Sequence, residues 1–180
     1  MGMDFIEQFK IPFYQFKISD WENKKEKLLD LYYSTEKNLT NTDPNSNVYT
    51  DFFGRDNYVD VVSEIFYDDL VNFVKKIKSP CRISSAWFQK YIKGCFHSPH
   101  NHGALGYSSV CFIKYDENEH QPTRFMCPFN SHNGRMLEYV PENITEGTII
   151  IFPAMLTHYV LPTSSDKERI IISMNIESKN

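Results

Sequence analysis

The chain has 180 residues, with 19 Lys and Arg against 23 Asp and Glu, a formal net charge of −4 and an isoelectric point near 5.9. Apolar residues make up 41% and include 14 Phe and 11 Tyr, a composition that excludes a disordered chain and supplies aromatic mass for a packed core. The acidic balance excludes a nucleic-acid backbone binder, which needs a clustered basic face. A chain of this length is expected to form one domain over residues 1–180, burying roughly 70% of the surface that it would expose unfolded.

The N-terminal stretch MGMDFIEQFK carries no apolar run of the kind a signal peptide needs, and no later segment approaches transmembrane length. A cytoplasmic protein without a membrane partner is expected. Ile11 to Ile18 (IPFYQFKI) alternates and is rich in aromatic and β-branched residues, which predicts a first strand. Ser19 with Glu22 forms a capping-box pattern, and Trp21, Leu28, Leu29 and Tyr32 recur at helical spacing, predicting a helix from about Asp20 to Glu36. On it, Lys24, Lys25 and Lys27 alternate with Glu22 and Glu26 and read as a solvated face. The polar run Asn38 to Asn47 is a loop, suited to covering a site. A second helix is predicted from about Tyr58 to Ile77, with Val62, Phe66, Leu70, Phe73 and Ile77 on one face, stopped by Ser79-Pro80.

After Pro80 short β-branched and aromatic runs alternate with turn residues. Strands are predicted near Arg82 to Tyr91, Tyr107 to Tyr115, Thr123 to Pro128, Met136 to Val140, Thr148 to Phe152, His158 to Leu161 and Arg169 to Ile176. The connections are too short for crossover helices, which excludes a parallel α/β fold. A mainly β jelly roll is expected over residues 80–180, with the strand and helices of residues 1–79 packed on one sheet. Cys81, Cys95, Cys111 and Cys127 lie far apart without a C-x-x-C spacing and read as buried free thiols of a reducing compartment. The sequons at Asn38 and Asn143 are then chance matches.

FHSPHNHG places His97, His100 and His102 within six residues. In an extended chain residues two apart share a face, so His100 and His102 can converge on one ion. Imidazole suits Fe, Zn, Cu or Ni, and an incomplete protein ligand set is the mark of a catalytic rather than a structural site. The competing reading is a surface loop of histidines. His120 and His132 lie in polar turns and read as surface residues.

Downstream, IIIFPAMLTHYVLPTSSDKERIIISMN runs from an apolar strand through Phe152-Pro153 to His158, then Arg169 and a strand ending Ser173-Met174-Asn175. Alternation puts Arg169, Ile171, Ser173 and Asn175 on one face and Ile170, Ile172, Met174 and Ile176 on the other. An inward arginine there needs an acidic partner, either a ligand carboxylate or a protein one. Together with the upstream H-x-H, these residues resemble a small subfamily of the 2-oxoglutarate and Fe(II)-dependent oxygenases with H-x-H, F-P-x-x-x-x-H and R-x-x-x-S-x-N motifs, over about Trp87 to Ile176. The resemblance implies a cupin-like double-stranded β-helix in which His100, His102 and His158 ligate Fe(II). It places Arg169 on the far carboxylate of 2-oxoglutarate, O2 at an open coordination position, and an acceptor that the sequence does not identify, a peptidyl residue or a small molecule. It also implies a pocket lined by Trp87, Gln89 and Asn175. Two departures stand out: His102 occupies the place of the superfamily's usual carboxylate, a set shared with oxoacid-independent cupins, and Ile171 replaces a serine that assists the arginine. Ser173 is the candidate to supply that hydroxyl, and His97 is an alternative ligand for either member of the pair. The rival functions are a metal-holding jelly roll that binds without turnover and a structural jelly-roll module.

Overall fold

The apolar strand at the end of the chain organises the architecture. The structure, a computed structural model, describes residues 10–54 and 57–178. Its strands are β1 (Tyr14–Lys17), β2 (Tyr49–Thr50), β3 (Cys81–Tyr91), β4 (His97–His100), β5 (Tyr107–Lys114), β6 (Arg124–Asn130), β7 (Met136–Tyr139), β8 (Thr148–Pro153), β9 (His158–Val160) and β10 (Arg169–Ser178). β10 is central in a six-stranded sheet of order β1-β8-β5-β10-β3-β2, and β4-β9-β6-β7 form a second sheet. Every pairing is antiparallel.

Period-two alternation divides the core in two. Ile170, Ile172, Met174 and Ile176, with Ile149 and Ile151 of β8, pack against Leu28, Tyr32, Val62, Phe66 and Phe73 of the helical layer. Ile171, with Ile150 and Phe152, faces Phe125 and Val160 of the smaller sheet, and the Phe125 and Phe152 rings meet edge to face at 4.7 Å. Each fully buried side chain of this kind contributes roughly 1.5–3 kcal/mol. This is the double-stranded β-helix, with helices on the outer face of the larger sheet.

The helical layer departs from the sequence pattern in three places. The second helix is two, α2 (Val59–Ile65) and α3 (Tyr67–Ile77), following α1 (Trp21–Thr35), and the chain bends at Phe66 (φ −95°, ψ 11°). The apolar stripe survives the bend, since Val62, Phe66 and Phe73 are all buried in one cluster. The capping box does not form. Asp20 takes the N-cap in the left-handed region (φ 49°) without a side-chain cap, while Ser19 is drawn into a buried ion pair. Lys24 lies 2.6 Å from Asp69 of α3, and Ser19 accepts from Lys24 Nζ and donates its backbone N–H to Asp69. Lys24 is therefore buried rather than solvated.

Two strands escape the sequence reading. β2 is only two residues long, and β4 is the histidine-rich stretch itself, lacking β-branched residues and containing Pro99. β4 tolerates that proline because it is the edge of its sheet, paired only with β9. His120 is buried rather than exposed: its Nδ1 accepts from the Asp116 N–H, its Nε2–H donates to Lys167 O, and it thereby fixes the chain just before β10. His132 is exposed as expected. Among the described residues no helix is long and apolar enough to cross a membrane.

Candidate functional site

β4 and β9 lie side by side with His100 opposite His158 and His97 opposite Val160. His102 comes from a loop beyond β4 rather than from the strand itself. Its backbone N–H donates to Ala154 O at 2.9 Å, and the Ala154 N–H donates to Gly106 O at 3.1 Å. Gly106 is required there, because φ is +79° and a Cβ would stand 2.6 Å from Ile176 O. The loop and the β8–β9 turn thus deliver His102 and His158 to the same point. One ring nitrogen from each of His100, His102 and His158 lies within 4.8 Å of the others, close enough to share a metal ion.

Their electronic state suits a metal. His100 Nδ1 lies 2.8 Å from Ser98 O and His158 Nδ1 lies 3.0 Å from Leu156 O. A carbonyl only accepts, so both Nδ1 atoms carry the proton and both Nε2 lone pairs are available. Burial depresses all three pKa values, that of His102 to about 4, so the imidazoles are neutral near pH 7. A carboxylate field reaches His100 and His97 from Asp43, whose carboxyl the Asn45 backbone N–H holds below the ordinary range.

His97 lies beside this cluster and outside it. Its ring stacks on His100 at 3.9 Å, and its Nδ1 lies 3.0 Å from Gln89 Nε2 and 3.5 Å from Tyr91 Oη. Gln89 in turn accepts from Ser173 Oγ at 3.1 Å. Ser173 is thus engaged with Gln89, and the hydroxyl beside Arg169 belongs to Thr123, which takes Nη2 at 3.2 Å. Thr123 was not singled out in the sequence, because a lone threonine at a strand start carries no signal.

Arg169 is 1% exposed, with its guanidinium 4.5 Å from the Tyr91 ring centre and 5.3 Å from that of Phe112. Its Nε and Nη1 have no hydrogen-bond partner, and among the described residues no carboxylate pairs with it. Burial lowers its pKa, opposed by Tyr91 and Tyr115. The described residues thus supply no structural salt bridge to it. A buried cation that keeps unpartnered N–H donors fits an anionic ligand, and the carboxylate of a small oxoacid is an anion of that kind.

Strand register gives the cavity a direction. On β10 and β3, Arg169 pairs with Tyr91, Ser173 with Trp87 and Asn175 with Ser85. Arg169 and Tyr91 are sealed in, whereas Asn175 and Ser85 are partly exposed. Asn175 bridges Ser108 and Ser85 at 2.8 and 3.0 Å. Trp87 packs against the His102 ring at 5.2 Å and receives the edge of Phe52 at 5.0 Å. Asp51 pins that wall, accepting from Tyr58 Oη at 2.6 Å and from the Phe88 N–H at 2.8 Å. The polar loop before it is fastened as well: Asn47 exchanges backbone bonds with Phe96, and Ser46 Oγ accepts from the Ser98 N–H. The turn at Asn130–Gly134 rises on the same open side, five residues beyond Phe125, which pairs with His158.

Fold and site together define a double-stranded β-helix with a three-imidazole cluster above a buried, unpaired arginine. A family model described as "Putative 2OG-Fe(II) oxygenase" matches residues 85–175, just over half of the chain, and the protein belongs to that family of 2-oxoglutarate and Fe(II)-dependent dioxygenases. No curated sequence matches it. Solved structures share its fold. A Pseudomonas putida prolyl-4-hydroxylase aligns with TM-score 0.62 at 14% identity, over 94% of each chain. The viral collagen prolyl hydroxylase of Paramecium Bursaria Chlorella virus-1, in a 2-oxoglutarate complex, aligns at 0.59 and 16% over 91% of this chain and 94% of that one. HygX from Streptomyces hygroscopicus, bound to nickel, 2-oxoglutarate and hygromycin B, aligns at 0.59 and 9% over 93% and 83%. The enzyme accordingly uses Fe(II), O2 and 2-oxoglutarate, and an acceptor substrate.

Proposed function

We propose that His100, His102 and His158 hold the Fe(II) and that Arg169 binds the far carboxylate of 2-oxoglutarate, in a hydroxylase of an apolar C–H bond. The observation that carries the reading is the buried Arg169 with two unpartnered N–H groups, set one layer below the histidine cluster. When bound, the metal supplies O2 activation and couples oxidative decarboxylation of 2-oxoglutarate to hydroxylation of the acceptor.

The chain's own part is placement. Ser98 O and Leu156 O orient two ligand rings and fix their tautomers. Arg169, braced by Thr123 and stacked on Tyr91, anchors the cosubstrate at the closed end. The neutral ligand set leaves the cosubstrate's carboxylates to offset the metal charge. The acceptor approaches from the open end, past Trp87, Phe52 and Asn175, so its oxidised carbon meets an aromatic wall and its polar groups meet Asn175. Gln89 serves the cosubstrate side rather than the acceptor side, being 4% exposed and tied to His97 and Ser173. Residues 1–180 are read as one domain, and the described residues before 80 pack on the jelly-roll core that follows. Nucleic acid and membrane are not partners in this reading. Four free cysteines, Cys95 and Cys111 buried among them, support a cytoplasmic setting.

The test is an anaerobic titration of Fe(II)-loaded protein with 2-oxoglutarate, following the visible metal-to-ligand charge-transfer band. The band is expected in the wild type and lost in His158→Ala. Arg169→Ala should weaken cosubstrate binding by about 2–5 kcal/mol, the range for unpairing a buried hydrogen-bonded charge. Iron binding without any band would make this an oxoacid-independent metal protein, and unchanged affinity in Arg169→Ala would remove the arginine from the site.

A further inference from the structure

We infer that His97 is a cosubstrate-binding residue, donating a hydrogen bond from its Nε2–H to a carboxylate oxygen of the oxoacid held between the three-histidine cluster and Arg169. The inference rests on the reading of Arg169 above and adds a second protein contact to the same ligand.

Register sets the position. His97 pairs with Val160 and His100 with His158, so His97 stands one step deeper than the metal cluster, toward the closed end. On the neighbouring strand Phe125 pairs with His158 and Arg124 with Tyr159, which brings Thr123 to the level of Val160. Thr123 is the residue that braces Arg169, and Tyr91, the partner of Arg169 in the sheet, has its hydroxyl 3.5 Å from His97 Nδ1. His97, Thr123 and Tyr91 line one cavity with the three-histidine cluster, and Arg169 borders it through Thr123 and Tyr91.

Hydrogen bonding sets the tautomer. Ser173 Oγ donates to Gln89 Oε1 at 3.1 Å, which turns the Gln89 amide nitrogen toward His97 Nδ1 at 3.0 Å. An amide nitrogen only donates, so Nδ1 carries the lone pair and the ring proton sits on Nε2. A protonated Nε2 cannot ligate a metal, in keeping with a cluster made of the other three histidines. The ring is held in place by stacking on His100. The cavity thus offers a carboxylate the His97 Nε2–H, beside a buried guanidinium that keeps unpartnered donors.

The experiment follows the same anaerobic charge-transfer titration, with iron content and thermal stability measured in parallel, for wild type, His97→Phe, His97→Gln and Gln89→Glu. His97→Phe keeps the ring stacked on His100 and deletes both nitrogens. It should bind a full equivalent of iron and need about tenfold to a hundredfold more 2-oxoglutarate, the range for a hydrogen bond to a charged group. His97→Gln should recover most of that affinity, because its amide nitrogen reaches the place of Nε2. Gln89→Glu should weaken binding as well, because a carboxylate pulls the proton to Nδ1 and strips it from Nε2. Wild-type affinity in His97→Phe would overturn the assignment, and so would loss of its iron, which would make His97 a ligand. Equal affinity in His97→Phe and His97→Gln would reduce the residue to a packing role. If the wild type itself binds iron without a band, the Arg169 reading fails first.

Discussion

The two faces of β10 share a backbone and differ in almost everything else. Toward the helices it presents Ile170, Ile172, Met174 and Ile176, all at most 2% exposed, in a predominantly apolar layer that also holds the Lys24–Asp69 pair. Toward the smaller sheet it presents Arg169, Ile171, Ser173 and Asn175, three of which are polar and bonded to Thr123, Gln89, Ser85 and Ser108. The outer face gains free energy by burial. The inner face spends some of it to hold a charge and a hydrogen-bonding chain ready for ligands. One strand can serve both because its side chains alternate, so changing one face leaves the other in register.

Ile172→Ala attacks the outer face and should cost about 2–5 kcal/mol of stability by opening a cavity in a packed layer. Denaturant unfolding measures the loss, and the 2-oxoglutarate affinity of the folded fraction should stay at its wild-type value; a loss of affinity equal to that of an inner-face variant would erase the distinction. Arg169→Met attacks the inner face in the opposite sense. It replaces an unpaired buried charge with an apolar chain of similar length, so the apo protein should gain about 1–4 kcal/mol by calorimetry while cosubstrate binding is lost. A destabilised Arg169→Met would mean that the guanidinium supports the fold and not only the ligand.

The smallest expected effect sharpens the same contrast through pH. His97, His102 and His158 have folded pKa values depressed by burial, to about 3 and about 4 for the first two. Below pH 6.5 the unfolded chain binds protons that the folded chain refuses, so stability present above about pH 6.5 is lost as pH falls toward the folded values. The melting temperature of metal-free protein should fall between pH 7 and 5, and Fe(II) should make the fall steeper because ligation also demands neutral imidazoles. A flat profile in metal-free protein would place these histidines in solvent.

Much of this was legible in the sequence because the signals were local. Alternation in Arg169 to Ile176 specified a strand and both of its faces, and the helical stripe of Val62, Phe66 and Phe73 specified a buried layer. The family was legible too, since the resemblance over about Trp87 to Ile176 agrees with the family match over residues 85–175. What misled was also local. Ser19 and Glu22 matched a capping box, yet a distant Asp69 claimed Ser19; Lys24 looked solvated because its partner lies 45 positions away in sequence. β4 went unseen because an edge strand can keep a proline and forgo β-branched residues when one neighbour orders it.

The sequence by itself determined the fold class and the pair of core layers, because period-two and helical patterns are written in near neighbours, and it singled out the histidines that the fold brings together. Only the tertiary structure decided which histidine stands apart from the three-histidine cluster, that Thr123 rather than Ser173 braces Arg169, and that no carboxylate among the described residues meets that arginine. Those outcomes depend on strand register and on partners tens of residues apart, and a buried charge reveals its missing partner only once everything around it has been placed.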